Sequence, residues 1–206
     1  MSDPTNDKKA KELIAEIREK NIPLSDLTST TTPHGQFLHS QPLAAKVGNW
    51  LFCHAGLYPQ MSWTDFQNKA DNLLTNGAYA DPFLIGSTSV LEAKDWWRDS
   101  GTRAQLEALI GGNGFYGIVF GHQPDAFGWE GQIAAIDGGK LIKIDNGMAP
   151  EAGSHPGSLL LFGQPSLMNT NSYPNPSVIL ANGDTNPLVP GALNKVLPPP
   201  QPDNED

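Results

Sequence analysis

A mixed α/β (α+β) domain is the fold class this sequence predicts, and three stretches predict it. Trp50 to Cys53 is a short apolar run that passes straight into His54-Ala55-Gly56. It reads as a buried strand with turn residues at its carboxyl end. Tyr116 to Phe120 repeats the arrangement and passes into Gly121-His122. Between the two lie segments whose apolar residues recur at helical spacing. Open α/β sheets place ligands at the carboxyl ends of their strands, and Gly56 permits close approach there. Two strands that each deliver one histidine can therefore bring both imidazoles to one metal, although 68 residues separate His54 from His122. Taken singly, each histidine also reads as a satisfied strand-end residue. The repetition tips the reading toward metal.

The elements follow in order. Residues Lys8 to Lys20 suit a surface helix, with Asp7 as cap, a narrow stripe of Leu13, Ile14 and Ile17, and Pro23 as stop. The Ser- and Thr-rich stretch from Ser25 to Pro33 reads as loop. Leu43 to Val47 reads as a strand that turns through Gly48-Asn49 into the strand ending at His54, a hairpin. Phe66, Ala70, Leu73 and Leu74 place a helix over Ser62 to Leu74, and Asn76-Gly77 ends it. A helix is expected from Ser87 to Asp99 with Trp96-Trp97-Arg98 at its end, and another from Thr102 to Ile110. Ile133 to Ile136 and Leu141 to Ile144 make a second hairpin across Gly138-Gly139. Ser158 to Phe162 is the last expected strand. The Pro/Asn-rich remainder is too poor in apolar residues for a core and reads as a loose or disordered tail.

Composition narrows the function. A chain of 206 residues can bury one sizeable core. Its net charge of -9, without clustered Lys or Arg, argues against nucleic-acid binding. The single Cys53 lies inside an apolar run, reads as a small core hydrophobe, and excludes an internal disulfide. No apolar run reaches the roughly 18 residues of a membrane span, and the polar start Met1-Ser2-Asp3-Pro4 does not read as a signal peptide.

Five short segments, in order, resemble a known family. Phe52-Cys53-His54-Ala55-Gly56-Leu57 is similar to the His-Gly-Gly motif of the calcineurin-like metallophosphoesterases. Pro33-His34-Gly35-Gln36-Phe37-Leu38 with Pro42-Leu43 resembles the lead-in of the Shewanella-like, bacterial PPP-type protein phosphatases. Trp96-Trp97-Arg98, Val119-Phe120-Gly121-His122-Gln123-Pro124 and Lys143-Ile144-Asp145-Asn146-Gly147-Met148 resemble later segments of that branch. The resemblance implies a β-sandwich flanked by helices, with two divalent metals (Mn, Fe or Zn) at strand ends. It makes His54 and His122 ligands of one metal and Arg98 a bidentate, catalytic phosphate holder. Arg98 also reads as an ordinary helix-end surface arginine. Trp96 and Trp97 read as core packing.

The family's Gly-Asp-x-His-Gly, Gly-Asp-x-x-Asp-Arg-Gly and Gly-Asn-His-Glu motifs are absent, and Gly183-Asp184 lies in the polar tail as a decoy. The chain thus resembles an incomplete, carboxyl-terminal part of such a domain. Residues 1–32 form a helix and linker, 33–162 the metallophosphoesterase part, and 163–206 the tail. Three readings follow. The first is a phosphate-monoester hydrolase that acts on a phosphorylated substrate once a separate amino-terminal half is present. The second is a non-catalytic remnant that binds partners. The third is an unrelated metal module in which Asp145 or His155 joins the two histidines. A half-domain is expected to expose strand edges and apolar surface and to self-associate. Substrate stays unread, and localisation stays open between bacterial cytoplasm and periplasm.

Overall fold

A computed structural model describes residues 8–163, 176–188 and 191 of the chain. It divides into two compact units, Met1–Pro42 and Leu43–Asp206. The first holds α1 (Lys8–Glu19), α2 (Leu24–Thr28) and α3 (Pro33–His39). The stretch Ser25 to Pro33, expected as loop, is therefore largely helical. Thr32 caps α3 by accepting from the Gly35 amide at 3.3 Å, and Pro33 fills the first helical position. The Thr-Pro pair is a helix start rather than a breaker. A Cβ on Gly35 would strike the Ser29 carbonyl, so glycine lets this turn close against α3.

The second unit is built on a five-stranded sheet of β1 (Ala44–Val47), β2 (Trp50–Cys53), β3 (Gly117–Phe120), β4 (Ala134–Ile136) and β5 (Leu141–Lys143). Their spatial order is β1-β2-β3-β5-β4. The central strands β2, β3 and β5 run parallel, while β1 and β4 pair antiparallel at the edges. A second, antiparallel sheet holds β6 (Ser158–Leu161), β7 (Ser177–Leu180) and β8 (Thr185–Pro187). Alternation along the strands sorts the two faces of the large sheet. Leu51, Ile118, Phe120, Ile136 and Leu141 pack with Phe66 of α4 (Trp63–Thr75) and with Leu106 and Ile110 of α5 (Ser100–Gly112). On the opposite face Trp50, Val119, Ala135 and Ile142 meet Val178 and Leu188 of the small sheet's hairpin. Two sheets thus face one another, with helices on the outer side of the larger. Burying each such aliphatic or aromatic side chain contributes about 1.5–3 kcal/mol, so the interface between the sheets is a core in its own right.

Two expectations are corrected here. Ser87 to Asp99 is not an α-helix; only Trp96–Arg98 forms a 3-10 turn, entered through Asp95 at φ 52°. The Ser89 hydroxyl accepts from the Leu91 and Glu92 amides, and the Val90 carbonyl accepts from Ala55 in the loop after β2. Local side-chain bonds and a tertiary bond replace the helical ladder. Residues 176–188, expected within the loose tail, form the β7–β8 hairpin instead. Val178-Ile179-Leu180 is an apolar run before Gly183-Asp184, which sits in the hairpin turn with Gly183 at φ 90°. Apart from Gly163 and Gly191, the rest of the expected tail lies outside the described residues. The outer face of the small sheet leaves Leu159 67% and Leu161 48% exposed.

Candidate functional site

Parallel pairing of β2, β3 and β5 aligns their carboxyl ends, and His54, His122 and Asp145 follow those ends within two residues. The ladder continues past them: the Gly121 amide donates to the His54 carbonyl at 2.8 Å, and the Ile144 amide to the Phe120 carbonyl at 2.8 Å. The two strand-end histidines are thereby brought side by side. His54 Nε2 and His122 Nδ1 stand 2.9 Å apart, with ring centroids 4.7 Å apart and ring planes at 61°.

The two histidines are held differently. His54 is exposed and His122 is half-buried at φ 70°, a left-handed conformation that side chains seldom adopt. His122 Nε2 is buried with no hydrogen-bond partner among the described residues. Burial and the neighbouring His54 ring push the His122 pKa below its ordinary value, with Lys94 adding to them and Glu92 and Asp145 opposing. A neutral imidazole with an unspent ring nitrogen is what a cation or a bound anion would use.

The Trp96–Arg98 turn joins both histidine loops. Trp96 Nε1 donates to the Ala55 carbonyl at 2.8 Å, while Gln123 Oε1 accepts from the Asp95 amide at 2.8 Å and from Trp97 Nε1 at 3.3 Å. Gly56, at φ 88°, presses on Phe120 and Trp96; a Cβ there would come within 2.7 Å of both rings. Both tryptophans are core, as expected, at 7% and 0% exposure. Arg98 is half-buried, with Nε donating to Asp95 Oδ1 at 2.7 Å and the guanidinium 4.4 Å over the Trp97 ring. The carboxylate and the aromatic ring together hold the guanidinium in place.

The donor set fits two ligands of one divalent ion. Among the described residues no group of three His, Cys, Asp or Glu side chains converges as a metal site. His155 is held elsewhere, against Gly131, Gly147 and Gly153 and 3.5 Å from Glu130, and Asp145 accepts from the Gly147 amide at 3.1 Å. Among the described residues neither His155 nor Asp145 is grouped with the pair as a third ligand. Burial pushes the Cys53 thiol up to about 12, which disfavours the thiolate at neutral pH.

Sequence reading missed the structural roles of Gln123 and Lys143. Lys143 is fully buried, and its ammonium donates to the carbonyls of Pro124 and Trp129, each at 2.6 Å. The available signal was a lone cation between Leu141-Ile142 and Ile144.

No family model matches the sequence, and no curated protein matches it. Solved structures do. The cold-active protein-tyrosine phosphatase of a psychrophile, Shewanella sp., is 18% identical with a TM-score of 0.59, over 87% of this chain and 52% of that one. A second structure of a cold-active protein tyrosine phosphatase is 19% identical with a TM-score of 0.59, over 90% of this chain and 53% of that one. A single-substitution variant is 19% identical with a TM-score of 0.58. The chain spans about half the length of these neighbours, and what it shares with them is the fold.

Proposed function

We propose that this chain supplies part of the active site of a metal-dependent phosphate-monoester hydrolase. In this reading His54 and His122 hold one divalent ion (Mn, Fe or Zn) and Arg98 binds the phosphoryl group. The remaining ligands come from a polypeptide segment outside these 206 residues, within a two-metal calcineurin-like centre. The observation that carries the reading is the pair of imidazole nitrogens 2.9 Å apart at adjacent parallel strand ends, one ring keeping a buried, unpartnered nitrogen. That fits metal ligation because neutral imidazole suits Mn, Fe and Zn. The neighbours' printed activity, protein-tyrosine phosphatase, supports a phosphorylated substrate. A divalent ion held there would lower the pKa of a bound water and neutralise phosphoryl charge. The chain's own residues bind and orient: the histidines would fix the position of the ion, and Arg98, held over the Trp97 ring, would meet the phosphoryl group.

Two histidines are short of the roughly three protein ligands that catalytic metal sites offer. That shortage is the one observation favouring the second reading, a non-catalytic partner-binding remnant. Titration of the chain with Zn or Mn decides between them. The hydrolase reading expects one ion per chain, lost in both His54→Ala and His122→Ala. It also expects aryl-phosphate hydrolysis only when a segment carrying the aspartate and Asn-His motifs is supplied. Unchanged metal content in both variants overturns the reading. A metal-free, monomeric, inactive chain with a sharp thermal transition favours the remnant.

A further inference from the structure

Lys143 ends β5 opposite Phe120 of β3, on the same face of the sheet as Leu141 and within the helix-covered core. It is fully buried. Burying an ammonium is costly, and an apolar residue of similar volume is usually as stable at such a place. What the lysine adds is reach. Its Nζ donates to the carbonyl of Pro124, two residues past His122, and to that of Trp129, seven residues past it. The loop between them is turned tightly, with the Gln123 amide on the Gly121 carbonyl at 2.9 Å and left-handed residues at His122 (φ 70°) and Phe127 (φ 66°). The strand ladder ties down only the start of this loop, through Gly121 on the His54 carbonyl. The Gln123 side chain joins it to the Trp96–Arg98 turn, and the lysine holds it at Pro124 and Trp129.

We propose that Lys143 is a positioning residue for His122: by anchoring the Pro124 and Trp129 carbonyls it holds the loop in the turn that faces the His122 imidazole toward His54. The ammonium is stabilised there by the carboxylates of Asp145, Asp125 and Glu130 as well as by the two carbonyls. The consequence for metal affinity rests on the ligand reading above; the consequence for the imidazole does not.

The test uses the whole chain, labelled with ¹⁵N-histidine, and compares Lys143→Met with Ile142→Val, a buried neighbour on the opposite face of β5. Imidazole ¹⁵N shifts, Zn affinity and thermal midpoint are read for each. Lys143→Met is expected to move the His122 nitrogens, to leave those of His34 and His39 in place, and to weaken Zn binding by about 10–100-fold, as loss of an outer support does. Ile142→Val is expected to lower the midpoint alone. Lowered midpoint with unmoved His122 nitrogens and unchanged affinity in Lys143→Met overturns the proposal. If the native chain binds no Zn, the ligand reading fails, and the imidazole shifts still decide the positioning role. Should Lys143→Met not fold, Lys143→Arg, which keeps a cationic donor, is read for displaced His122 nitrogens. Failure of both to fold assigns Lys143 to overall stability and overturns the proposal.

Discussion

The loops after β2 and β3 carry the same kind of residue to the same place and reach it by opposite means. His54 leaves its strand exposed, and the crowding falls on Gly56, wedged between Phe120 and Trp96. His122 carries the backbone strain itself, and the glycine before it, Gly121, is loose: a Cβ there meets nothing nearer than 3.6 Å. The first loop is fixed by packing around Gly56 together with the bonds that Ala55 makes to Trp96 and Val90, the other by hydrogen bonds to Lys143 and Gln123 without a crowded glycine. A strand end can be made rigid either way, and the two ways fail differently on mutation and on titration.

The largest expected effect follows from the glycines. Gly56→Ala should destabilise the chain by about 3 kcal/mol, since a Cβ collides with two core rings at a left-handed φ. Gly121→Ala should change stability by no more than about 0.5 kcal/mol, because its space is open and its φ lies outside the left-handed range. Urea denaturation of the two variants checks this. Equal losses would erase the contrast between the loops.

Next comes Trp96→Phe, which removes the donor to the Ala55 carbonyl and part of a core ring. It should cost about 1.5 kcal/mol by denaturant midpoint while leaving the His122 imidazole undisturbed. A shifted His122 resonance would mean that the loops are fixed as one body.

The smallest effect belongs to the other loop and is read by pH. Burial lowers the Lys143 ammonium from 10.5 to about 8, against the pull of Asp145, Asp125 and Glu130. The unfolded chain therefore binds more protons between those values, and stability rises with pH through that window. From pH 7 to 9 the gain is about 1 kcal/mol. Cys53, raised from 9.0 to about 12, acts in the opposite sense above pH 9 and offsets it there. Denaturation at the two pH values should show the rise in the native chain and lose it in Lys143→Met.

Sequence alone disclosed much of this architecture, for physical reasons visible in particular residues. Trp50–Cys53 and Gly117–Phe120 were legible because strands buried on both faces are written as unbroken apolar runs. The histidine pair was legible because the pattern is repeated. The segment before Trp96 misled, because apolar spacing does not disclose that Ser89 and Val90 spend their bonds elsewhere. The β7–β8 hairpin was hidden by the Pro- and Asn-rich residues around a short apolar run. Lys143 was overlooked because its acceptors are backbone carbonyls, which carry no residue-specific signature. Arg98 was named from its motif, whereas its stacking on Trp97 and its tie to Asp95 depend on a left-handed turn that the sequence does not advertise.

The left-handed backbone at His122 also bears on how this chain can evolve. A side chain in that conformation costs roughly 1–2 kcal/mol relative to glycine, and asparagine tolerates it better than most residues. Histidine itself is, with asparagine and aspartate, among the residues enriched at such angles, so the fold tolerates it at a cost that glycine would avoid. A glycine arriving at position 122 would relieve the backbone, and an asparagine would be accepted there almost as readily as the histidine.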